Sequence, residues 1–135
     1  MKKIILDTNF VFLPFTLKID IFSEIDRIMH EPYNLFVMED TIDELDRIMQ
    51  EQKGRDRETA KMALQLLEKK GVGKQKSLYM TGNSKKPIVD DIILALADKN
   101  HIVATQDREL RKKLTEKGIR TIYARKKSLE IKDVL

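Results

Sequence analysis

Residues 101–118 read HIVATQDRELRKKLTEKG. The run HIVAT at 101–105 is apolar without polar alternation, which suggests a strand buried on both faces, as in a parallel sheet. Asp107 follows it and opens a helical pattern over 107–117, closed by Gly118 at a C-cap position. The same rhythm extends outward. Strand-length apolar runs occur at 4–6 (IIL), 35–38 (LFVM), 78–80 (LYM) and 121–124 (TIYA). Helical patterns cover 20–30, 41–50, 57–70 and 90–99, with Ile21, Phe22, Ile25, Ile28 and Met29 marking the apolar face of the first. Alternating strands and helices with short connections predict one α/β domain over 1–135, with a mainly parallel sheet of about five strands between helices. The stretches 71–77 (GVGKQKS) and 81–87 (TGNSKKP) read as loops. The first is not a phosphate loop, because Lys74 is followed by Gln75 and no Gly stands five residues before Gly73.

Composition narrows the function. The chain has 135 residues and no Cys, which excludes disulfides, thiolate zinc sites, iron–sulfur clusters and a thiol nucleophile. Its two histidines, His30 and His101, are far apart in sequence. No apolar run reaches the ~18 residues of a membrane span, and the apolar run of MKKIILDTNF is too short for a signal peptide. A cytoplasmic protein without membrane contact is expected. The net charge of +4 is unevenly spread. Residues 1–51 carry 5 Lys and Arg against 11 Asp and Glu, whereas 52–88 carry 10 against 3 and 101–135 carry 10 against 5. Basic stretches beside acidic ones suit a polyanion-binding surface around a cation-binding centre.

The acidic residues fall at informative places. Asp7 follows the first apolar run, Asp90 and Asp91 open a helix, Asp107 opens another, and Glu44 lies early in the helix after LFVM. Ligands in open α/β sheets bind at the carboxyl ends of strands. Each residue also has a structural reading: the aspartates as helix caps, and Thr41 with Glu44 as a capping box. Together they ask for more, because two carboxylates ~4 Å apart repel by ~4 kcal/mol at an effective dielectric of 20. Hard oxygen donors without His or Cys suit Mg²⁺ or Mn²⁺, and such an ion can activate water against a phosphodiester. A haloacid-dehalogenase phosphatase would need an Asp where Asn9 stands, and a receiver domain would need its acidic pair early in the chain.

With these residues in order, the chain resembles the PIN-domain ribonuclease family. ILDTN (Asp7, Thr8, Asn9), TIDEL (Glu44), VDDIILALA and VATQDREL (Thr105, Asp107) are similar to its four motifs and span nearly the whole chain. In the third motif, counting from Asp90 places Ile93 and Ala97 where the family has Ile and Ala, whereas counting from Asp91 places Leu94 and Asp98 there. The resemblance implies a three-layer α/β/α sandwich and an Mg²⁺- or Mn²⁺-dependent endoribonuclease. It implies Asp7, Glu44, Asp90 and Asp107 as catalytic residues, with Asp7, Asp90 and Asp107 holding metal and Thr8, Asn9, Asp91 and Thr105 supporting them. The motifs are most similar to an archaeal relative of the rRNA-processing nuclease of the small-subunit processome, with the VapC-type toxin branch second. Expected partners are RNA (single-stranded or an rRNA precursor), a second copy in a homodimer and, in the toxin branch, an antitoxin. A non-catalytic RNA-binding scaffold is the rival reading. Lys85 and Lys86 just before Asp90, and Arg108 just after Asp107, are the expected RNA contacts. The aromatic residues read mostly as core, with Tyr79 and the TGNSKK loop as candidates for base contact.

Overall fold

The two central strands send successive side chains to opposite sides, and both sides are covered. The computed structural model describes residues 1–76 and 89–134. In β1 (Lys2–Leu6), Ile4 and Leu6 enter one apolar cluster and Ile5 the other; in β4 (His101–Ala104), Ile102 and Ala104 go with the first and Val103 with the second. This two-sided burial is why these strands read as unbroken apolar runs. The first cluster lies under α1 (Thr8–Val11), α2 (Leu13–Thr16), α3 (Ile21–Ile28), α4 (Glu39–Glu51) and α5 (Arg55–Lys69). The second lies under α6 (Val89–Leu96) and α7 (Arg108–Glu116). The result is the expected three-layer α/β/α sandwich.

The remaining strands are β2 (Tyr33–Met38), β3 (Gly73–Gln75), β5 (Arg120–Arg125) and β6 (Ser128–Lys132), in the order β3-β2-β1-β4-β5-β6. All pairs are parallel except β5–β6. The chain winds outward from β1 through β2 to β3 and returns to β4 on the other side of β1. The point where strand order reverses therefore lies between β1 and β4, which pair with Leu6 opposite Ala104. A crevice forms at such a point, outside the carboxyl ends of the two strands.

Glycine ends two of the helices in the same way. At the end of α7 the Gly118 N–H donates to the Thr115 carbonyl (3.0 Å) and the Ile119 N–H to the Leu114 carbonyl (2.9 Å), with Gly118 at φ 85°. Gly71 and Val72 repeat the pattern after α5, onto Glu68 and Leu67, with Gly71 at φ 63°. These are Schellman caps, and the left-handed residue in each favours glycine.

Among the described residues the sheet has six strands where about five were expected. The additional strand β6 alternates as SLEIK, with Leu129 buried, as an edge strand does. The stretch 71–77, read as a loop, contains β3. The strand expected at 78–80 lies outside the described residues. Strand β6 leaves Leu129 with an N–H and a carbonyl facing away from β5, and α3 takes both. Glu24 Oε1 accepts from Leu129 N (3.0 Å), and Arg27 donates to the Leu129 carbonyl (3.0 Å) while paired to Glu24 (2.9 Å). A salt-bridged pair thus closes the sheet edge against another strand. Glu24→Ala is expected to lower the melting temperature by a few degrees and to raise light scattering on heating, because it reopens that edge; circular dichroism and scattering melts check both.

Candidate active site

Asp7 directly follows β1, and its backbone N–H still donates to Ala104 of β4 (2.9 Å). The residue is 1% exposed. Oδ1 accepts from the Thr8 N–H (2.9 Å), capping α1, and Oδ2 accepts from the Thr105 hydroxyl (2.7 Å). Thr105 follows β4, is fully buried, and accepts in turn from the Asp107 N–H (3.1 Å). One hydroxyl therefore connects the first and fourth motifs. Asp107 caps α7, its Oδ1 accepting from the N–H groups of Glu109 (2.9 Å) and Leu110 (3.1 Å).

The loop between β4 and α7 is fixed from two further directions. Asn9 Oδ1 accepts from the Gln106 N–H (3.1 Å), and Gln106 Oε1 accepts from the Ala124 N–H of β5 (2.6 Å). On the other side, Thr8 donates to Glu44 Oε2 (3.2 Å), and since a carboxylate only accepts, the Thr8–Thr41 contact (3.0 Å) has Thr41 as donor. The capping box expected from Thr41 and Glu44 is not formed. Helix α4 begins three residues earlier than a Thr41 cap allows, with Met38 as its N-cap residue, and Thr41 is instead fully buried inside the helix, holding Thr8.

Asp90, in the first turn of α6, lies between Asp7 and Asp107 and makes side-chain hydrogen bonds with both. Burial, the hydrogen bond with Asp107 and the charge of Asp7 push its carboxyl up to about 8. Burial also raises Asp7, against the opposing hydrogen bonds of Thr105 and the Thr8 N–H. Asp107 is held low by its hydrogen bond with Asp90 and by the backbone N–H groups at the start of α7. Burial and the neighbouring carboxyls thus favour a proton retained within the trio when no cation is bound. Asp91 is exposed and is not on the cleft wall. Arg108 is exposed at the first position of α7. Lys85, Lys86 and Tyr79 lie outside the described residues.

Asp7, Glu44 and Asp90 line one cleft of about 510 Å³, and Asp107 joins the group through Asp90. The cleft has further walls that the sequence reading missed. Asp40, Asp43 and Arg47 stand with Glu44 on one side of α4, and Phe12 follows α1. The signal was the spacing 40, 43, 44, 47, which places these residues on one helical face. Phe12 read as core; it packs on the first apolar cluster yet is only partly buried and also lines the cleft.

Among the described residues, no three acidic or histidine side chains are arranged around a common point as ligands already in place. The donor chemistry nevertheless fits a hard divalent cation. The donors are carboxylate oxygens with no sulfur or imidazole beside them, and the trio retains a proton that a cation would displace.

A carboxyl whose folded-state value exceeds its unfolded one stabilises the fold at low pH and loses that contribution as pH rises. For Asp90 the window runs from about 4, the unfolded value, to about 8. Asp7 acts in the same direction and Asp107 in the opposite one, at the acid end. Without divalent cations, stability to urea is expected to fall between pH 5 and pH 8.5, and Asp90→Asn to remove most of that slope. Urea titrations across this range, with chelator, measure it.

Comparison with known proteins places the chain in context. It matches the PIN-like domain family over residues 4–127. It is 31% identical over 131 residues to ribonuclease VapC4 of Methanocaldococcus jannaschii, covering 94% of this chain and 93% of that protein. It also resembles the structure of the PIN domain endonuclease Utp24, with a TM-score of 0.77 over 98% of this chain and 95% of that one; at 19% identity this is a likeness of fold.

Proposed function

The chain belongs to the PIN-like domain family, and from that premise we propose that it is a metal-dependent endoribonuclease that hydrolyses RNA phosphodiester bonds at its carboxylate cluster. The observation that carries this reading is Asp90 set between Asp7 and Asp107 at the reversal of strand order, with Glu44 on the same cleft as Asp7 and Asp90. Asp7, Asp90 and Asp107 would hold Mg²⁺ or Mn²⁺. When bound, the ion supplies neutralising charge at the phosphate and lowers the pKa of water.

The protein's own residues do the rest. Thr105 and the Thr8 N–H fix both oxygens of Asp7, so that the carboxylate does not reorient as charge develops nearby. The start of α7 and the Asn9 and Gln106 contacts hold Asp107 in place. Thr8 occupies Glu44 Oε2, and Oε1 has no hydrogen-bond partner among the described residues, so Glu44 can orient the attacking water and accept its proton. Attack on phosphorus breaks the bond to the departing ribose oxygen, which takes up a proton from solvent water. Thr8, Asn9 and Thr105 thus act by positioning, and Asp91 supports the start of α6 through the helix dipole. Arg108 would flank the RNA path next to Asp107, with Lys85 and Lys86 before Asp90 on the chain.

Two settings fit this activity. The identity to ribonuclease VapC4 over nearly the full length of both chains supports a VapC-type ribonuclease controlled by an antitoxin protein. The motif resemblance to the rRNA-processing branch, together with the Utp24-like fold, supports cleavage of an rRNA precursor. Cleavage of a generic single-stranded RNA is expected to require Mg²⁺ or Mn²⁺ and to stop with chelator. Asp7→Asn and Asp90→Asn should each abolish it without loss of fold, and Asp90→Asn should raise the melting temperature in chelator. Activity that survives chelation, or normal cutting by both variants, would refute the mechanism. Glu44→Gln should leave a folded protein with reduced cleavage.

A further inference from the structure

We propose that Phe12 and Arg47 form a nucleotide subsite beside the carboxylates, in which the Phe12 ring stacks on an RNA base and the Arg47 guanidinium grips a phosphate next to the scissile one. The proposal rests on the endoribonuclease reading and names how that site would take hold of its strand.

The cleft is an unfavourable place for RNA as it stands. Asp7, Asp40, Asp43, Glu44 and Asp90 line it, and Arg47 is its one cationic wall residue among the described residues. A strand entering it meets repulsion on several sides. Arg47 could have been spent on local ion pairs, since Asp43 precedes it by four residues and Glu44 by three, the spacings at which helical side chains meet. Among the described residues it makes no such pair. The guanidinium is exposed at the cleft with its planar donors available, a geometry that suits a phosphate.

Phe12 complements it. One part of the ring packs on the core and another lines the cleft, so an aromatic surface stands open beside an acidic site. The two residues are placed by one contact. Thr8 of α1 is hydrogen-bonded to Glu44 of α4 (3.2 Å), and Phe12 and Arg47 are each about one helical turn further along from that pair. A cation and an aromatic surface set on neighbouring elements match a phosphate and its base, the combination by which proteins hold single strands without strict sequence preference.

The test compares binding of a short oligouridylate with that of an abasic ribose-phosphate strand of equal length, in Ca²⁺ to suppress cutting, across a salt series. Wild type should prefer the base-bearing strand by roughly tenfold. Phe12→Leu, which keeps the apolar contact with the core, should erase the preference and leave the salt dependence unchanged; Phe12→Tyr should retain the preference. Arg47→Gln should keep the preference and reduce the log–log salt slope by about 0.7, one phosphate contact on a single strand. Equal binding of the two strands by wild type, or an unchanged slope in Arg47→Gln, overturns the subsite, and the wild-type comparison needs no variant to fold. If wild type cuts RNA in Mg²⁺ while these results fail, only the subsite falls. If it neither binds nor cuts RNA, the endoribonuclease reading falls and the subsite with it.

Discussion

The hydrogen bond from Thr105 to Asp7 is the contact on which the arrangement turns. It spans the place where the sheet reverses its strand order, and it ties a side chain that closes β1 to one that follows β4. A buried carboxylate without partners would be expelled or protonated. Here the Thr105 hydroxyl and the Thr8 amide take both oxygens, and Thr105 passes the connection to the Asp107 amide. The two halves of the sheet are thereby registered to each other at the site as well as along the strands.

Most of the fold was legible because its signals are local. Runs such as HIVAT and IIL have no alternation since both faces of β1 and β4 are covered, and helix ends such as Gly118 carry their own chemistry. Strand β6 was not legible from the same cue: it lies at an edge, where burial is one-sided, and SLEIK alternates accordingly. Strand β3 is too short, and too rich in Gly and Lys, to declare itself before β2 lies beside it. At the site, the positions of Asp7, Asp90 and Asp107 follow from strand ends and helix starts. The role of Thr41 does not. Threonine three residues before glutamate satisfies a capping rule as well as it satisfies a buried contact with Thr8, and only the point where α4 begins separates the two. Arg47 and Phe12 face the cleft because α1 and α4 adjoin, a tertiary fact that neither segment contains.

The site also shows how function is set against stability. Crowding Asp90 between Asp7 and Asp107 raises its carboxyl well outside the ordinary range for an aspartate, the cost of gathering these groups without a cation. The layers on either side must hold that cluster together, and α6 and α7 do so from one side through Ile92, Ile93, Leu110 and Leu114. An arrangement that repels itself when empty of cations is one that gains from binding them, which couples cation affinity to folding.

The clamp at Gln106 bears on which changes the protein can accept over evolutionary time. Its side chain binds the amide of Ala124, not the side chain of that residue. Any amino acid with an N–H and a compatible shape can therefore stand at 124 without loosening the loop that carries Thr105 and Asp107. Proline cannot, since it has no donor. A single insertion or deletion within β5 before this point is a different matter: it would shift which amide faces Gln106 or turn alternate side chains of β5 to the opposite layer. Residue identity at 124 is thus freer to drift than the register of β5, which also carries the buried Thr121 and Ile122, so lineages of this chain should vary at 124 while keeping the strand's register.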